Sequence, residues 1–404
     1  MEAPSPFTAI PSMIPKIIIA SDSFKGCLTS EEVAAAVASG IREVLHDCRI
    51  ICIPMADGGE GTAKTLAASL DGSLIEVTVS GPSGRSTEAS YGIFRSREGL
   101  TAVVESAQAC GLTLLGTDEL DPFETSTSGV GELILDAADK GCRNFIIGLG
   151  GSATNDGGSG MLEALGFVFR DDSGNIINGC CGRVLADIAS IDDSMVSMKI
   201  RDSRFIAACD VNTPFYGKEG ATRIFAPQKG ADAETVERLE AGMKSFAEVI
   251  RTKYGTDLSG IPGSGAAGGL GGALMACLGA ELMRGTDIVL DALGFDELIK
   301  DADLIITGEG KIDSQSRKGK VISGILERAG RHGIPVIAIA GMVDFESGSL
   351  EDMGFAAILP TGPAPQNESD LRHAMQPEVA SGNISSAVSK ALRELSPSLF
   401  RVSL

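Results

Sequence analysis

Asn144-Phe-Ile-Ile-Gly-Leu-Gly-Gly-Ser-Ala-Thr-Asn-Asp-Gly-Gly158 joins a short apolar run of strand character to a loop of glycines, hydroxyls, an amide and one carboxylate. Met161-Leu-Glu-Ala-Leu165 then continues as a helix-like run. In a strand, glycine loop and helix start, backbone N–H groups and the helix dipole face an anion. The loop has no lysine, and Gly-x-x-x-x-Gly-Lys-Ser/Thr occurs nowhere in the chain. The stretch therefore reads as a phosphate-type site that is not a Walker loop. It also decides the fold class, because a strand delivering a ligand loop to a helix is the unit of an α/β protein.

The same unit recurs on both sides. Upstream, Ile17–Ala20 is a buried strand candidate, and Thr29-Ser-Glu-Glu32 opens a helix with a capping signature running to about Leu45. Arg49–Pro54 is a second strand, followed by Asp57-Gly-Gly-Glu-Gly61 and a helix over 62–70. Ser73–Ser80 and Arg85–Phe94 alternate around Gly81-Pro-Ser-Gly84 as an antiparallel hairpin, and Leu100–Glu105 is a further strand. Downstream, strands are expected at 205–210, 303–307, 336–340 and 356–359, with helices near 319–331, 344–352 and 383–395. Two like βα portions flanking an unlike middle predict an open, mostly parallel Rossmann-like α/β domain at 14–72 plus 286–404. An α+β domain at 73–285 interrupts it, and the active site is expected in the cleft between them. Residues 1–13 are expected to be a disordered tail rather than a signal peptide.

Composition narrows the function. A net charge of −20 and few aromatic residues argue against nucleic acid and anionic membrane surfaces. No apolar run approaches the roughly 20 residues needed to span a bilayer. The nine cysteines contain no Cys-x-x-Cys pair, and that odd count reads as a reducing cytoplasm without a zinc site. The three histidines are scattered and receive no role.

Five acidic or glycine loops follow predicted strands: 21–26, 57–61, 148–158, 210–212 and 307–315. They carry Asp22, Asp57, Glu60, Asp156, Asp210, Glu309 and Asp313. Turns favour these residue types for conformational reasons alone. Five such loops at strand ends point instead to hard oxygen ligands, hence Mg²⁺ with substrate phosphates. Lys25, Arg223, Lys229, Lys311, Arg317, Lys318 and Lys320 are the candidate cations. Phosphoryl transfer fits this inventory, since it needs cations, N–H groups, a metal and a carboxylate base. The bland readings are a helix cap for 57–60, close backbone packing for 264–272, and a solvated face for Lys318, Lys320, Arg328 and Arg331. A rival pattern, Gly148-x-Gly150-x-x-Ala153 with Asp171 beyond it, matches terms of the dinucleotide fingerprint. It keeps an NAD(P)-dependent hydroxy-acid dehydrogenase open, alongside a non-catalytic sugar-acid-binding protein.

Seven blocks in order resemble the type-1 glycerate kinases, which transfer the γ-phosphoryl of ATP to D-glycerate. They are 20–26, 54–61, 148–158, 208–215, 225–230, 262–272 and 307–313, within about residues 15–360. The resemblance implies a two-domain α/β enzyme with ATP and D-glycerate as substrates, Mg²⁺ as metal and 2-phosphoglycerate as the usual product. The physics of the sequence does not choose between the 2- and 3-hydroxyl. In that frame Asp313 is the leading base, with Asp22 and Asp57 behind it, and Lys25 neutralises a carboxylate or phosphate. Gly150, Gly151, Ser152, Thr154 and Asn155 are expected to bind phosphate or glycerate oxygens. Ser23, Gly58, Gly59, Glu60, Asn212, Lys229, Gly268 and Gly269 are further candidate contacts. Asp156, Asp210 and Glu309 are the expected metal ligands. A cytoplasmic monomer or homodimer is expected.

Overall fold

The computed structural model describes residues 14–312, 321–344, 353–362 and 367–399. Its contacts divide the chain into two compact units. The first runs to Met55 and resumes at Gly294; the second is Ala56–Leu293. The sequence placed the cuts at 72/73 and 285/286. They fall elsewhere because the helix Thr62–Ser69 packs on strands of the second unit, as does the helix Gly285–Ala292.

The chain begins with β1 (Lys16–Ser21) and β2 (Arg49–Pro54). It continues through β3 (Ser73–Ser80), β4 (Ser86–Ser96), β5 (Gly99–Glu105), β6 (Asn144–Gly148), β7 (Val168–Arg170), β8 (Ile176–Ile177), β9 (Ser190–Asp192), β10 (Arg204–Ala208) and β11 (Glu281–Met283). It ends with β12 (Leu304–Ile312), β13 (Val336–Val343) and β14 (Ala357–Pro360). The α/β class holds, with mostly parallel sheets and helices.

In the first unit the sheet order is β14-β13-β12-β1-β2, and every pairing is parallel. The unbroken Ile17–Ala20 run occupies an interior strand buried on both faces, as a parallel sheet demands. The expected capping box is present: Glu32 N–H donates to Thr29 Oγ1, and Thr29 N–H donates to Glu32 Oε2. The helix it starts, Ser30–Arg42, buries Val33, Ala34, Val37, Ala38 and Ile41 at helical spacing. It packs on the helix Pro377–Leu399, which is longer than the expected 383–395. Pro377 suits the first helical position, and Gly382 with the serines around it obscures the periodicity of the early turns. Arg328, expected on a solvated face, is instead buried and paired with Asp296 at 2.5 Å. Lys318 and Lys320 lie outside the described residues, as does most of the helix expected at 344–352.

In the second unit the order is β11-β10-β6-β5-β4-β3. The β3–β4 hairpin and β5 are antiparallel, as their alternation predicts. Strands β5, β6, β10 and β11 are parallel, and their register aligns Glu105, Gly148, Ala208 and Met283 in one row at the carboxyl edge. A small antiparallel sheet, β8-β7-β9, and the helix Ala233–Tyr254 complete the unit. Strands of two or three residues are too short to show alternation in a sequence. Among the described residues, no helix is long and apolar enough to cross a membrane.

Candidate active site

The row Glu105, Gly148, Ala208, Met283 sets where the loops of the second unit begin. Strand β6 feeds the glycine loop, and Asp156 ties that loop from inside. Its Oδ2 accepts from Thr127 N–H at 2.8 Å, Thr127 Oγ1 at 2.7 Å and Gly160 N–H at 3.2 Å, while Oδ1 accepts from Gly158 N–H at 3.0 Å. The residue is fully buried. Burial pushes its carboxyl up, and the four donors pull it back down in part. A carboxylate so occupied and sealed is an anchor for protein donors, which corrects the expectation that Asp156 holds a metal.

The anchor turns the second half of the loop inward. Thr154 and Asn155 are fully buried, and Asn155 Nδ2 donates to Thr222 Oγ1 at 3.1 Å. Both side chains thus lie in the interior rather than on the exposed part of the loop, and among the described residues Thr154 Oγ1 and Asn155 Oδ1 have no hydrogen-bond partner. Gly268 and Gly269 are buried against this loop too: Gly157 N–H donates to Gly268 O at 3.0 Å. Gly268 has φ +66°, and a Cβ there would collide with the Thr154 carbonyl, so the position requires glycine. The close-packing reading of 264–272 therefore replaces the ligand reading. Gly150 and Gly151 remain exposed. Among the described residues, no protein acceptor takes the N–H of either glycine.

The lysine missing from the loop sequence arrives from another segment. Lys229 Nζ donates to Ser152 Oγ at 2.9 Å and to the Thr154 carbonyl at 2.7 Å. It is 3 % exposed, so it braces the loop rather than touching a ligand directly. Burial lowers its ammonium to about 8, with Cys110 and Asp156 opposing that shift. Arg223, another candidate cation, is paired bidentately with Glu237.

Beside the glycine loop lies the 57–61 turn. Asp57 Oδ1 accepts from Gly59 N–H at 3.0 Å, Gly58 is buried, and Glu60 is exposed. Glu105 had no role in the sequence reading, yet it organises this turn. Its carboxylate accepts from Gly61 N–H at 3.1 Å and Ala63 N–H at 2.8 Å, capping the helix Thr62–Ser69 from a neighbouring strand. Burial holds the Glu105 carboxyl above its usual range; the Ala63 and Gly61 N–H groups oppose this, and Glu60 and Asp57 add to it. The available signal was a carboxylate closing an otherwise apolar strand, Thr101-Ala-Val-Val-Glu105. Thr127, which gives Asp156 two of its four bonds, carried no such signal.

Two residues past β10, Asp210 Oδ1 accepts from Gly285 N–H at 3.1 Å. Gly285 lies so close to the backbone of Asp57 and Gly58 that a Cβ there would clash with both. Desolvation raises the Asp210 carboxyl to about 6; the Gly285 N–H opposes this, Asp57 adds to it, Arg284 opposes and Asp287 adds. Asp57, Gly58, Gly59, Gly150, Gly151 and Asp210 thus gather along one sheet edge. Asn212 is exposed beyond it. Among the described residues, no cluster of three or more His, Cys, Asp or Glu could cage a metal. Asp210, with its raised proton affinity and Asp57 nearby, suits a divalent ion that takes its other ligands from a substrate phosphate.

The first unit keeps its own set. Asp22 Oδ1 accepts from Ser23 N–H at 2.7 Å, and Asp22 N–H donates to the Gly308 carbonyl at 3.3 Å. This lays the 21–25 loop along β12, with Gly310 packed near Phe24 and Lys25. Lys25 is exposed and Glu309 is buried. Asp313, the leading candidate base, lies outside the described residues.

The dinucleotide fingerprint does not survive this geometry. The helix after the glycine loop starts at Ser159, well past Ala153. Asp171 instead closes a tight turn, accepting from Ser173 and Asn175 N–H. Nothing supports the NAD(P)-dependent alternative.

Replacing Asp156 by Asn tests the anchor. An amide cannot accept on its nitrogen, so Thr127 or Gly160 donors lose their partner, at roughly 1–3 kcal/mol for each one left unsatisfied. A melting temperature lowered by several degrees is expected, with or without divalent cation. An unchanged melting temperature with altered cation dependence would return Asp156 to the metal.

The glycerate kinase family model matches residues 17–395. The chain is 46% identical over 343 residues to the glycerate 2-kinase of Escherichia coli K12, covering 85% of this chain and 89% of that one. It is 44% identical to the glycerate kinase of Bacillus subtilis 168, with the same coverages. A crystal structure of a "putative glycerate kinase 2" from Salmonella typhimurium LT2 superposes with a TM-score of 0.83 at 40% identity, covering 95% of this chain and 99% of that one. With agreement over nearly its whole length, the chain belongs to the glycerate kinase family, and so is a kinase, a phosphotransferase acting on an alcohol group.

Proposed function

We propose that the protein transfers the γ-phosphoryl group of ATP to the 2-hydroxyl of D-glycerate, giving 2-phosphoglycerate and ADP. One observation carries the reading beyond family membership. Gly150 and Gly151 are exposed, their N–H groups have no acceptor among the described residues, and they stand on the same sheet edge as the Asp57–Asp210 pair. N–H groups held open by a rigid loop stabilise an oxyanion without reorganising, the main contribution a protein can make to phosphoryl transfer. The glycerate 2-kinase name of the Escherichia coli relative supports the 2-position.

A divalent metal accompanies this chemistry, and we assign it as Mg²⁺. It would neutralise charge on the phosphate oxygens, with Asp210 and Asp57 as the residues suited to hold it. Glu309 is buried on β12 of the other unit and remains a further candidate. We assign to Lys25 the neutralisation of the glycerate carboxylate or a phosphate, with Ser23 as a further candidate contact. Asp313 stays the proposed base on the strength of the family resemblance, with Asp22 and Asp57 as the described carboxylates that could replace it. All nine cysteines are free thiols, which suits the cytoplasmic location we propose for a monomer or homodimer.

The reading is tested by ADP formation with MgATP over a panel of small hydroxy acids, followed by ³¹P NMR of the product. D-Glycerate should stimulate turnover and yield the 2-phosphate. No stimulation by D-glycerate would reject the substrate, and a 3-phosphate would reject the regiochemistry.

Asp210→Asn tests the metal. The folded-state carboxyl is raised above its unfolded value near 3.8, so ionisation costs stability, absent at low pH and fully felt above about pH 6. The variant should melt higher than wild type at pH 7.5 and equally near pH 4. Mg²⁺ should raise the wild-type melting temperature more than the variant's. Equal Mg²⁺ shifts would remove Asp210 from the metal site.

A further inference from the structure

Lys229 ends a short turn, Pro227–Lys229, far in sequence from the glycine loop that its ammonium braces. An ammonium has three hydrogens and no lone pair, so its bond to Ser152 runs one way: the serine oxygen accepts. The Ser152 hydroxyl hydrogen must then be given elsewhere, and among the described residues it has no acceptor. Ser152, 5 % exposed, follows directly on the exposed Gly150 and Gly151, whose N–H groups have no acceptor among the described residues.

We propose that Lys229 is a positioning residue, which commits Ser152 to donate its hydroxyl to an anionic oxygen held at the Gly150–Ser152 turn. The ligand chemistry is a carboxylate or a phosphate, and the assignment rests on reading that turn as the oxyanion site. A hydroxyl that accepts from a cation is a better donor, because hydrogen bonds in a chain polarise one another. The same buried ammonium also fixes the Thr154 carbonyl, so orientation and polarisation come from one group. A neutral lysine could accept from Ser152 and turn the hydroxyl inward. Burial has already moved Lys229 toward that form, to about 8. The titratable groups around it are the Cys110 thiol, pushed up to about 12 by burial, and the anchored Asp156.

Isothermal titration with D-glycerate and with MgADP, each alone, on wild type, Ser152→Ala, Lys229→Met and the double variant tests this. One of the two ligands should bind roughly tenfold more weakly to each single variant, equivalent to about 1.4 kcal/mol. The double variant should be no worse than Lys229→Met, and the ligand affected identifies the anion. Wild-type affinity for that ligand should fall as pH rises past about 8, while that of Ser152→Ala stays flat. Losses that multiply in the double variant, with wild type and Ser152→Ala sharing one pH dependence, would mark a purely structural lysine and overturn the proposal. If Lys229→Met does not fold, the pH comparison between wild type and Ser152→Ala decides. Wild type that binds neither ligand rejects the oxyanion reading itself; wild type that binds while Ser152→Ala is indistinguishable rejects the role of Lys229 alone.

Discussion

Four hydrogen bonds converge on one buried carboxylate, and the geometry of the glycine loop follows from them. Thr127 supplies two donors, Gly158 and Gly160 one each, and Asp156 accepts all four with no solvent contact. A carboxylate in that position is costly unless its oxygens are satisfied. The loop must therefore keep its backbone wrapped around it. The consequence is a division of labour within one segment. Thr154 and Asn155 face inward, Gly268 and Gly269 pack against them, and Gly150 and Gly151 are left outside with N–H groups that no acceptor among the described residues takes.

The sheet supplies the second constraint. Parallel register across β5, β6, β10 and β11 brings Glu105, Gly148, Ala208 and Met283 to one line. Each following loop starts from the same edge, so carboxylates from distant segments need no long reach to meet. Glu105 then caps the helix behind the Asp57 turn, and Gly285 closes on that turn while binding Asp210. Desolvation at this edge raises the proton affinity of Asp210, and the nearby Asp57 adds to it.

Much of this could be read from residue order. The Ile17–Ala20 run gave an interior parallel strand, Thr29 and Glu32 gave a capping box, and the alternation at 73–94 gave the hairpin. Glycine and acidic loops after strands marked the edge where ligands bind in open α/β sheets. What the residue order left open was direction. A loop written Gly-Gly-Ser-Ala-Thr-Asn-Asp offers the same polar atoms whether they face solvent or core, and here burial of Asp156 decides. Thr127 and Lys229 are separated from that loop by tens of residues, with no periodicity to bind them to it. Domain limits moved for a similar reason: the helices Thr62–Ser69 and Gly285–Ala292 follow the side to which they pack, and composition carries no mark of that.

The central claim is that the loop presents Gly150 and Gly151 to an oxyanion while Thr154 and Asn155 serve the interior. Backbone amide ¹H–¹⁵N spectra recorded during titration with D-glycerate and with MgADP test it residue by residue. The largest shifts are expected at Gly150 and Gly151 with one of these ligands, and near-constant resonances at Thr154 and Asn155. Dominant shifts at Thr154 and Asn155, with Gly150 and Gly151 unmoved, would contradict it.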